Sequence, residues 1–391
     1  LNNGSGMEDL AKEFGLSSRQ LRRVLRQELG VAPVQLAQTH RLLLAKQLLT
    51  ETRLPVIEVA HASGFESVRR FNAVFLSHYR LAPSRLRKSL EPVPNGEPLR
   101  LQLGYRPPLA WAELLRFLGD RATAGVECVR NGSYARTLAI GSNQGWLKVE
   151  PVEGRNALSV EFSATLAPAL APLLARLRHV FDLNARPDLI ASHLRTDARI
   201  GPAVDRCAGL RVPGAFSGFE LAWRAILGQR ISVRAATTLA GRFAERFGTP
   251  FDTPYPVLNR LVPEPERIAE VKPEEISKLG MPRDRALCIK ALAKAIADGS
   301  LRLEPGGNPE TTIEQLKGFP GIGEWTAQYI AMRALSWPDA FPHGDLGLLR
   351  GLRETSATSL RTIAESWRPW RSYAVMHVWN SCSSSNGRPR S

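Results

Sequence analysis

The chain is poor in cysteine, in long apolar runs and in acidic residues, and each shortage excludes something. Four cysteines (Cys128, Cys207, Cys288, Cys382) are spread over 391 residues without a Cys-x-x-Cys pair. Neither a disulfide framework nor a zinc or iron–sulfur site is supported by that spacing. No run of 18 apolar residues is free of charge and no signal peptide precedes the first helices, so the expectation is a soluble protein of the reducing cytoplasm, without membrane contact. Asp plus Glu number 37 against 52 Lys plus Arg, a formal net charge of +15. Such an excess favours a polyanionic partner, because each phosphate neutralised by Arg or Lys releases counterions. The length itself allows two or three domains with sizeable cores.

The most informative stretch is residues 316–329, Leu-Lys-Gly-Phe-Pro-Gly-Ile-Gly-Glu-Trp-Thr-Ala-Gln-Tyr. A Pro-Gly-Ile-Gly turn opening a helix offers free backbone N–H groups and a positive dipole end to a phosphate. Gly321 and Gly323 let a sugar-phosphate backbone approach and permit the tight turn. Asp345 lies 22 positions beyond the second of these glycines. One carboxylate delivered beside a gripped DNA strand is what excision of a base needs.

An internal repeat organises the N-terminal part. Ala11 and Gly15 are followed by Leu21, Leu25 and Pro33; Ala60 and Gly64 are followed by Phe71, Phe75 and Pro83. Ala-x-x-x-Gly leading into apolar residues four apart is the pattern of a helix-turn-helix. The expected recognition helices run over 18–27 and 67–76, with Ser17 or Ser18, and Ser67, as caps. Ser18, Arg19, Arg22, Arg23, Ser67, Arg69 and Arg70 are the candidate groove contacts. Residues 91–98, with three prolines and a glycine, read as a linker. Period-two runs at 99–103, 125–129, 135–140, 146–149 and 158–162 with helical stretches at 111–118 and 169–181 make 99–185 a small α+β domain. From 186 to 380 the periodicity is helical throughout, and 381–391 reads as disordered.

These motifs carry a resemblance. The hairpin, residues 222–233 (Ala-Trp-Arg-Ala-Ile-Leu-Gly-Gln-Arg-Ile-Ser-Val), 279–283 (Leu-Gly-Met-Pro-Arg) and 367–379 (Trp-Arg-Pro-Trp-Arg-Ser-Tyr-Ala-Val-Met-His-Val-Trp) together resemble the 3-methyladenine DNA glycosylase II family of the helix-hairpin-helix superfamily. Residues 1–90 resemble the double helix-turn-helix domain of AraC-type regulators, as in adaptive-response regulators, where it follows a methyl-accepting zinc domain whose cysteines this sequence lacks. Either the chain is a truncated piece or that sensor is missing by design. The resemblance implies a multidomain, mainly α protein with one α+β domain: a double helix-turn-helix at 1–90, a TATA-binding-protein-like α+β domain at 99–185, and an all-α catalytic core at 186–380.

It also implies roles. Asp345 is the catalytic carboxylate, stabilising positive charge on the sugar or orienting water. Trp325, Tyr329, Trp379 and Phe117 line the base pocket, which for cationic alkylated purines is expected to be aromatic and sparsely polar. Gly321, Gly323 and Thr326 grip the DNA backbone. Gln229 and Arg230 stand at the wedge, with Arg230 where a relative has leucine. Backbone carbonyls of Lys317, Phe319 and Ile322 match positions that hold an alkali ion, Na+ or K+; no other cofactor is required. Trp325 replaces the lysine that lets bifunctional relatives nick the strand, so the expected product is an abasic site. The partners are alkylated double-stranded DNA and, on the regulator side, promoter DNA and RNA polymerase. Two other readings stay open: a transcriptional regulator with a vestigial glycosylase portion, and a glycosylase for a mismatched or oxidised base.

Overall fold

The computed structural model describes residues 8, 11, 15–52, 54–86 and 97–385. The helices are α1 (Ser18–Leu29), α2 (Pro33–Glu51), α3 (Val56–Ala62), α4 (Val68–Tyr79), α5 (Pro83–Leu86), α6 (Trp111–Gly119), α7 (Leu170–Val180), α8 (Pro187–Leu194), α9 (Gly201–Arg206), α10 (Gly218–Leu227), α11 (Val233–Phe247), α12 (Pro265–Glu270), α13 (Pro273–Ser277), α14 (Arg283–Ala297), α15 (Pro309–Lys317), α16 (Glu324–Arg333), α17 (Leu346–Leu352), α18 (Ala357–Ala364) and α19 (Arg371–Ser385). Strands β1 (Leu99–Gly104), β2 (Glu127–Arg130), β3 (Ser133–Ile140), β4 (Asn143–Pro151) and β5 (Ala157–Phe162) form one sheet in the order β1-β5-β4-β3-β2. Contacts gather the described residues into two compact units, one drawn from 1–103, 138–152 and 157–176, the other from 104–137, 153–156 and 177–391.

In the first unit the second helix-turn-helix copy forms as the repeat predicts, α3 leading through Gly64 into α4; of the first copy, Gly15 and the second helix α1 are described, and its expected first helix lies largely outside the described residues. Gly15 and Gly64 take positive φ (64° and 81°), which a glycine adopts without strain. Ser17 caps α1 through Gln20 N at 3.2 Å, and Ser67 caps α4 through Arg70 N at 3.2 Å. Phe71 and Phe75, one turn apart, are fully buried with rings 5.4 Å apart. α2 then meets β1: Glu51 accepts the Gln102 N–H at 2.8 Å and Gln47 donates to the Gln102 carbonyl at 2.5 Å. Those side chains satisfy backbone groups that an edge strand leaves open. β4 and β5 pair antiparallel, Leu147 opposite Phe162 and Val149 opposite Val160.

The second unit is built around α10. Nine of its ten residues are buried, as expected of a helix enclosed by others, here α14 and α16. Trp223 stacks on Phe243 of α11 at 4.6 Å. α15 and α16 pack against each other across the Gly-rich turn, and α17 packs on α19. Two details depart from the periodicity. A two-stranded ribbon, β6 (Thr249–Pro250) with β7 (Arg260–Leu261), interrupts the stretch expected to be helical throughout. α19 also runs through Ser385, into the segment expected to be disordered, because Cys382 still packs on the core beside α17.

Candidate active site

Asp345 is the N-cap of α17. Its Oδ1 accepts the Leu348 N–H at 2.9 Å and the Trp379 indole N–H at 2.9 Å, while Oδ2 accepts the Trp325 indole N–H at 3.0 Å. An indole N–H turned away from water seeks an acceptor, and here two half-buried indoles, from α16 and α19, converge on one carboxylate. The group is thereby fixed from three directions before any ligand arrives. Asp345, Trp325, Tyr329 and Trp379 all line one cavity of about 400 Å³, within the size range of small-ligand pockets. The Trp325 and Tyr329 rings share a helix face and stack at 5.2 Å, 8° apart; Tyr329 and Trp379 lie 6.3 Å apart at 50°.

Two pocket expectations need correction. Phe117 does not line the cavity. It is buried one layer back on α6, its ring stacked 6.5 Å from that of Trp379 and covered by the guanidinium of Arg121, just beyond the helix, at 3.8 Å. An aromatic position in the sequence does not reveal depth, and Phe117 serves as backing for Trp379. Nor is the pocket sparsely polar, because Arg121, Arg224 and Arg333 line it.

Those guanidiniums are held by partners that make burial tolerable. Arg224 donates to Glu127 at 2.8 Å and Glu220 at 3.0 Å, Arg136 donates to Glu220 at 2.8 Å, and the Tyr134 hydroxyl donates to Glu127 at 2.6 Å. Burial would raise the Glu127 carboxyl, but Arg224 and Arg136 outweigh it and hold it at about 2. Arg333 donates to the carbonyls of Pro213 and Gly214 at 2.7 and 3.1 Å and to the Tyr329 hydroxyl at 2.7 Å. Burial pushes the Tyr329 phenol up, yet Arg333, Arg121 and Arg224 bring it below its ordinary value. Reasoning from sequence missed this floor. Its one local signal was Glu220 four residues before Arg224 in an otherwise apolar helix.

In the hairpin, Gly321 has φ 95°, which demands glycine, whereas Gly323 is the N-cap of α16 at φ −89°. A Cβ on Gly323 would meet nothing within 4 Å. Its bareness therefore serves open space in front of the turn rather than the backbone conformation. Thr326, expected to face DNA, is buried, and its hydroxyl accepts from Gln229 at 3.1 Å. Gln229, expected at the wedge, also donates to the Gly321 carbonyl at 2.8 Å. Arg230 beside it is exposed with φ 57°. The Phe319 carbonyl accepts the Ile322 N–H at 3.0 Å, and the Lys317 ammonium pairs with Glu314 at 2.8 Å and Glu324 at 3.2 Å.

In the first unit Arg19, Arg22, Arg23, Ser67, Arg69 and Arg70 are exposed along α1 and the start of α4, and Ser18 is half-buried.

Residues 10–89 match a helix-turn-helix domain family, 100–217 the AlkA N-terminal domain, and 223–371 the HhH-GPD superfamily of base excision DNA repair proteins. A Mycobacterium tuberculosis protein described as a probable bifunctional transcriptional activator/DNA repair enzyme AlkA is 34% identical, over 96% of this chain and 76% of its own. DNA-3-methyladenine glycosylase 2 of Escherichia coli is 38% identical over 71% of this chain and 95% of its own length. The chain belongs to the DNA-3-methyladenine glycosylase II family. In fold the glycosylase is also similar to the 3-methyladenine DNA glycosylase of Archaeoglobus fulgidus, with a TM-score of 0.62 and 21% identity, over 73% of this chain and 99% of that one. It is thus a DNA-binding hydrolase of the N-glycosylase type with an AraC-type helix-turn-helix domain. No helix among its described residues is long and apolar enough to cross a membrane.

Proposed function

We propose that the glycosylase hydrolyses the N-glycosidic bond of alkylated purines of the 3-methyladenine and 7-methylguanine type in duplex DNA, leaves an abasic site, and works in the cytoplasm. The observation that carries this reading is Asp345, anchored by two indoles inside a ring-lined cavity. N-alkylated purines carry positive charge, so they leave with little acid assistance, and they are attracted to electron-rich ring faces. Departure puts positive charge on the sugar, which a fixed carboxylate stabilises. Among the residues lining the cavity there is no lysine, which supports hydrolysis over attack by an amine. The hairpin carbonyls of Lys317, Phe319 and Ile322 are neutral oxygens of the kind an alkali cation accepts, and such an ion would add positive charge beside a gripped phosphate.

The test is to incubate the full chain with duplex oligonucleotides carrying a 3-methyladenine analogue or hypoxanthine. Base release with strand breakage only after hot alkali is expected. Breakage without alkali would refute hydrolysis alone, and no release from any lesion would refute the enzyme reading.

A second role, regulation of transcription through promoter DNA and RNA polymerase, is favoured by the exposed arginines of α1 and α4. Footprinting on the chain's own promoter region tests it: a protected specific sequence supports regulation, and uniform protection supports tethering of the enzyme alone.

A further inference from the structure

Three guanidiniums line the cavity, and two of them are fully engaged by the protein. Arg224 donates to Glu127, Glu220 and the Arg121 carbonyl. Arg333 donates to two backbone carbonyls and to the Tyr329 hydroxyl. Arg121 is different. Among the described residues it makes no ion pair, and its one hydrogen bond is a long one, 3.3 Å to the Phe117 carbonyl. Its guanidinium lies over the Phe117 ring at 3.8 Å, and a ring face is no conventional hydrogen-bond acceptor. Because a guanidinium carries several N–H donors in a fixed fork, the half-buried Arg121 brings unanswered donors to the cavity wall. Burial pulls its pKa below the ordinary arginine value, helped by Arg333 and Arg224 and opposed by Tyr329 and Asp120; the group nevertheless stays charged. The cavity thus holds a fixed anion, Asp345, and a cation with donors to offer.

Such a cation does little for a base that is already positive. A cationic purine loses its charge as it departs, so a guanidinium beside it offers the transition state no new attraction. A neutral oxopurine such as hypoxanthine has the opposite need. Its C1′–N9 bond breaks with the electron pair left on N9 and shared with N7 and O6, and negative charge grows on the acceptor edge of the base. We propose that Arg121 is a catalytic residue for neutral oxopurines, donating to the O6 or N7 edge of the extruded base as it leaves as an anion. The proposal rests on the excision reading above and extends its substrate class. Water supplies hydroxide to C1′ and a proton to the departed base, so the reaction balances without a further reactant. Asp345 stabilises the sugar half of the charge separation and Arg121 the base half. A charge-assisted donor is the stronger kind, and the Arg224 bond to the Arg121 carbonyl, with the Phe117 ring beneath the guanidinium, places it before any base arrives.

Single-turnover release of hypoxanthine and of 7-methylguanine by the full chain tests this role. The two bases share the O6 edge and differ in charge. The readout is the ratio of their rates, because a merely structural defect slows both alike. In Arg121→Gln the ratio of hypoxanthine to 7-methylguanine release should fall by roughly 10- to 100-fold. Arg121→Lys, which keeps the charge but not the fork, should lose less of it, and carries the test alone if the glutamine variant fails to fold. A ratio unchanged or raised in the variants that fold would overturn the assignment. So would a larger fall in Tyr329→Phe than in Arg121→Gln, which would make the phenol the donor. A wild type that releases 7-methylguanine but not hypoxanthine would overturn it too and leave excision standing. A wild type that releases neither would remove the excision reading itself.

Discussion

Asp345→Asn removes one charge and changes almost nothing else. Oδ1 accepts from Leu348 N and from the Trp379 indole, both at 2.9 Å, and an asparagine carbonyl there keeps both bonds. Asparagine is as good an N-cap as aspartate, so α17 keeps its start. On the other side the Trp325 indole N–H, 3.0 Å from Oδ2, would face an amide that also donates. One hydrogen bond is lost, at about 1 kcal/mol, so Tm should fall by only roughly 2–4 °C. The catalytic loss is much larger. A unit charge about 4 Å from a developing sugar cation, at an effective dielectric of about 20, contributes roughly 4 kcal/mol. That corresponds to a rate lower by roughly a thousandfold.

The assay is single-turnover base release at saturating enzyme, with affinity for abasic-analogue DNA measured by anisotropy. The rate should fall by about three orders of magnitude while affinity stays within about threefold, because the hairpin and the rim of the cavity are untouched. A variant that retains more than about a tenth of the wild-type rate would refute the electrostatic role. A loss of affinity as large as the loss of rate would refute it equally, by showing that the carboxylate acts only through folding or binding.

Three further perturbations test the surroundings. Trp379→Phe keeps a ring for stacking but removes an N–H from Asp345 Oδ1, so single-turnover excision should slow by roughly 5- to 30-fold, about 1–2 kcal/mol, with Tm little changed; equal rates would show that this bond does not position the carboxylate. Glu127→Gln leaves Arg224 and Arg136 with one carboxylate fewer in the buried cluster, and should cost about 3–5 kcal/mol of stability by calorimetry. Glu127 sits at about 2 when folded against an ordinary 4.5; its stabilisation is therefore complete above 4.5 and lost as pH falls toward 2, and the variant should lack that part of acid unfolding. Asp182 is the opposite case, since burial raises its carboxyl from 3.8 to about 6, so stability present below 3.8 is lost as pH rises through 6. Asp182→Asn can still accept the Tyr373 hydroxyl, which reaches Asp182 at 2.7 Å, and asparagine tolerates the positive φ of 49° found there; Tm should rise at pH 8 and hardly change at pH 4, and a lower Tm at pH 8 would refute the sign.

The sequence showed what local pattern can encode. Gly321, the helix after it, the stacked faces of Trp325 and Tyr329, and the left-handed Gly15 and Gly64 of the repeated pattern all follow from spacing and backbone demand, and they stand as expected. What stayed hidden depends on direction or on distant pairing. Arg224 lines the pocket because Glu127, nearly a hundred residues earlier on another element, holds its guanidinium. Phe117 lies behind Trp379 instead of beside the cavity because residue type says nothing of depth. Gln229 and Thr326 were expected to touch DNA and instead bond one another, a matter of which way two side chains turn. Helical period alone also did not reveal that α19 continues past 380, since only its packing against α17 carries it on.

The double use of Asp345 follows from the same geometry. A carboxylate free to rotate would have to be oriented at the moment positive charge appears on the sugar, and that reorganisation would add to the barrier. Here the helix cap on Oδ1 and the indoles on both oxygens have already oriented it during folding. Two of the rings that line the cavity, Trp325 and Trp379, are also the donors that aim the charge, so recognition of a base and stabilisation of the sugar would share side chains. A substitution that removes ring and N–H together should therefore lose more than the sum of separate losses in stacking and in donation. Comparing Trp325→Ala with Trp325→Phe, each with and without Asp345→Asn, measures that coupling directly; additive losses would mean that the two roles of the ring are independent.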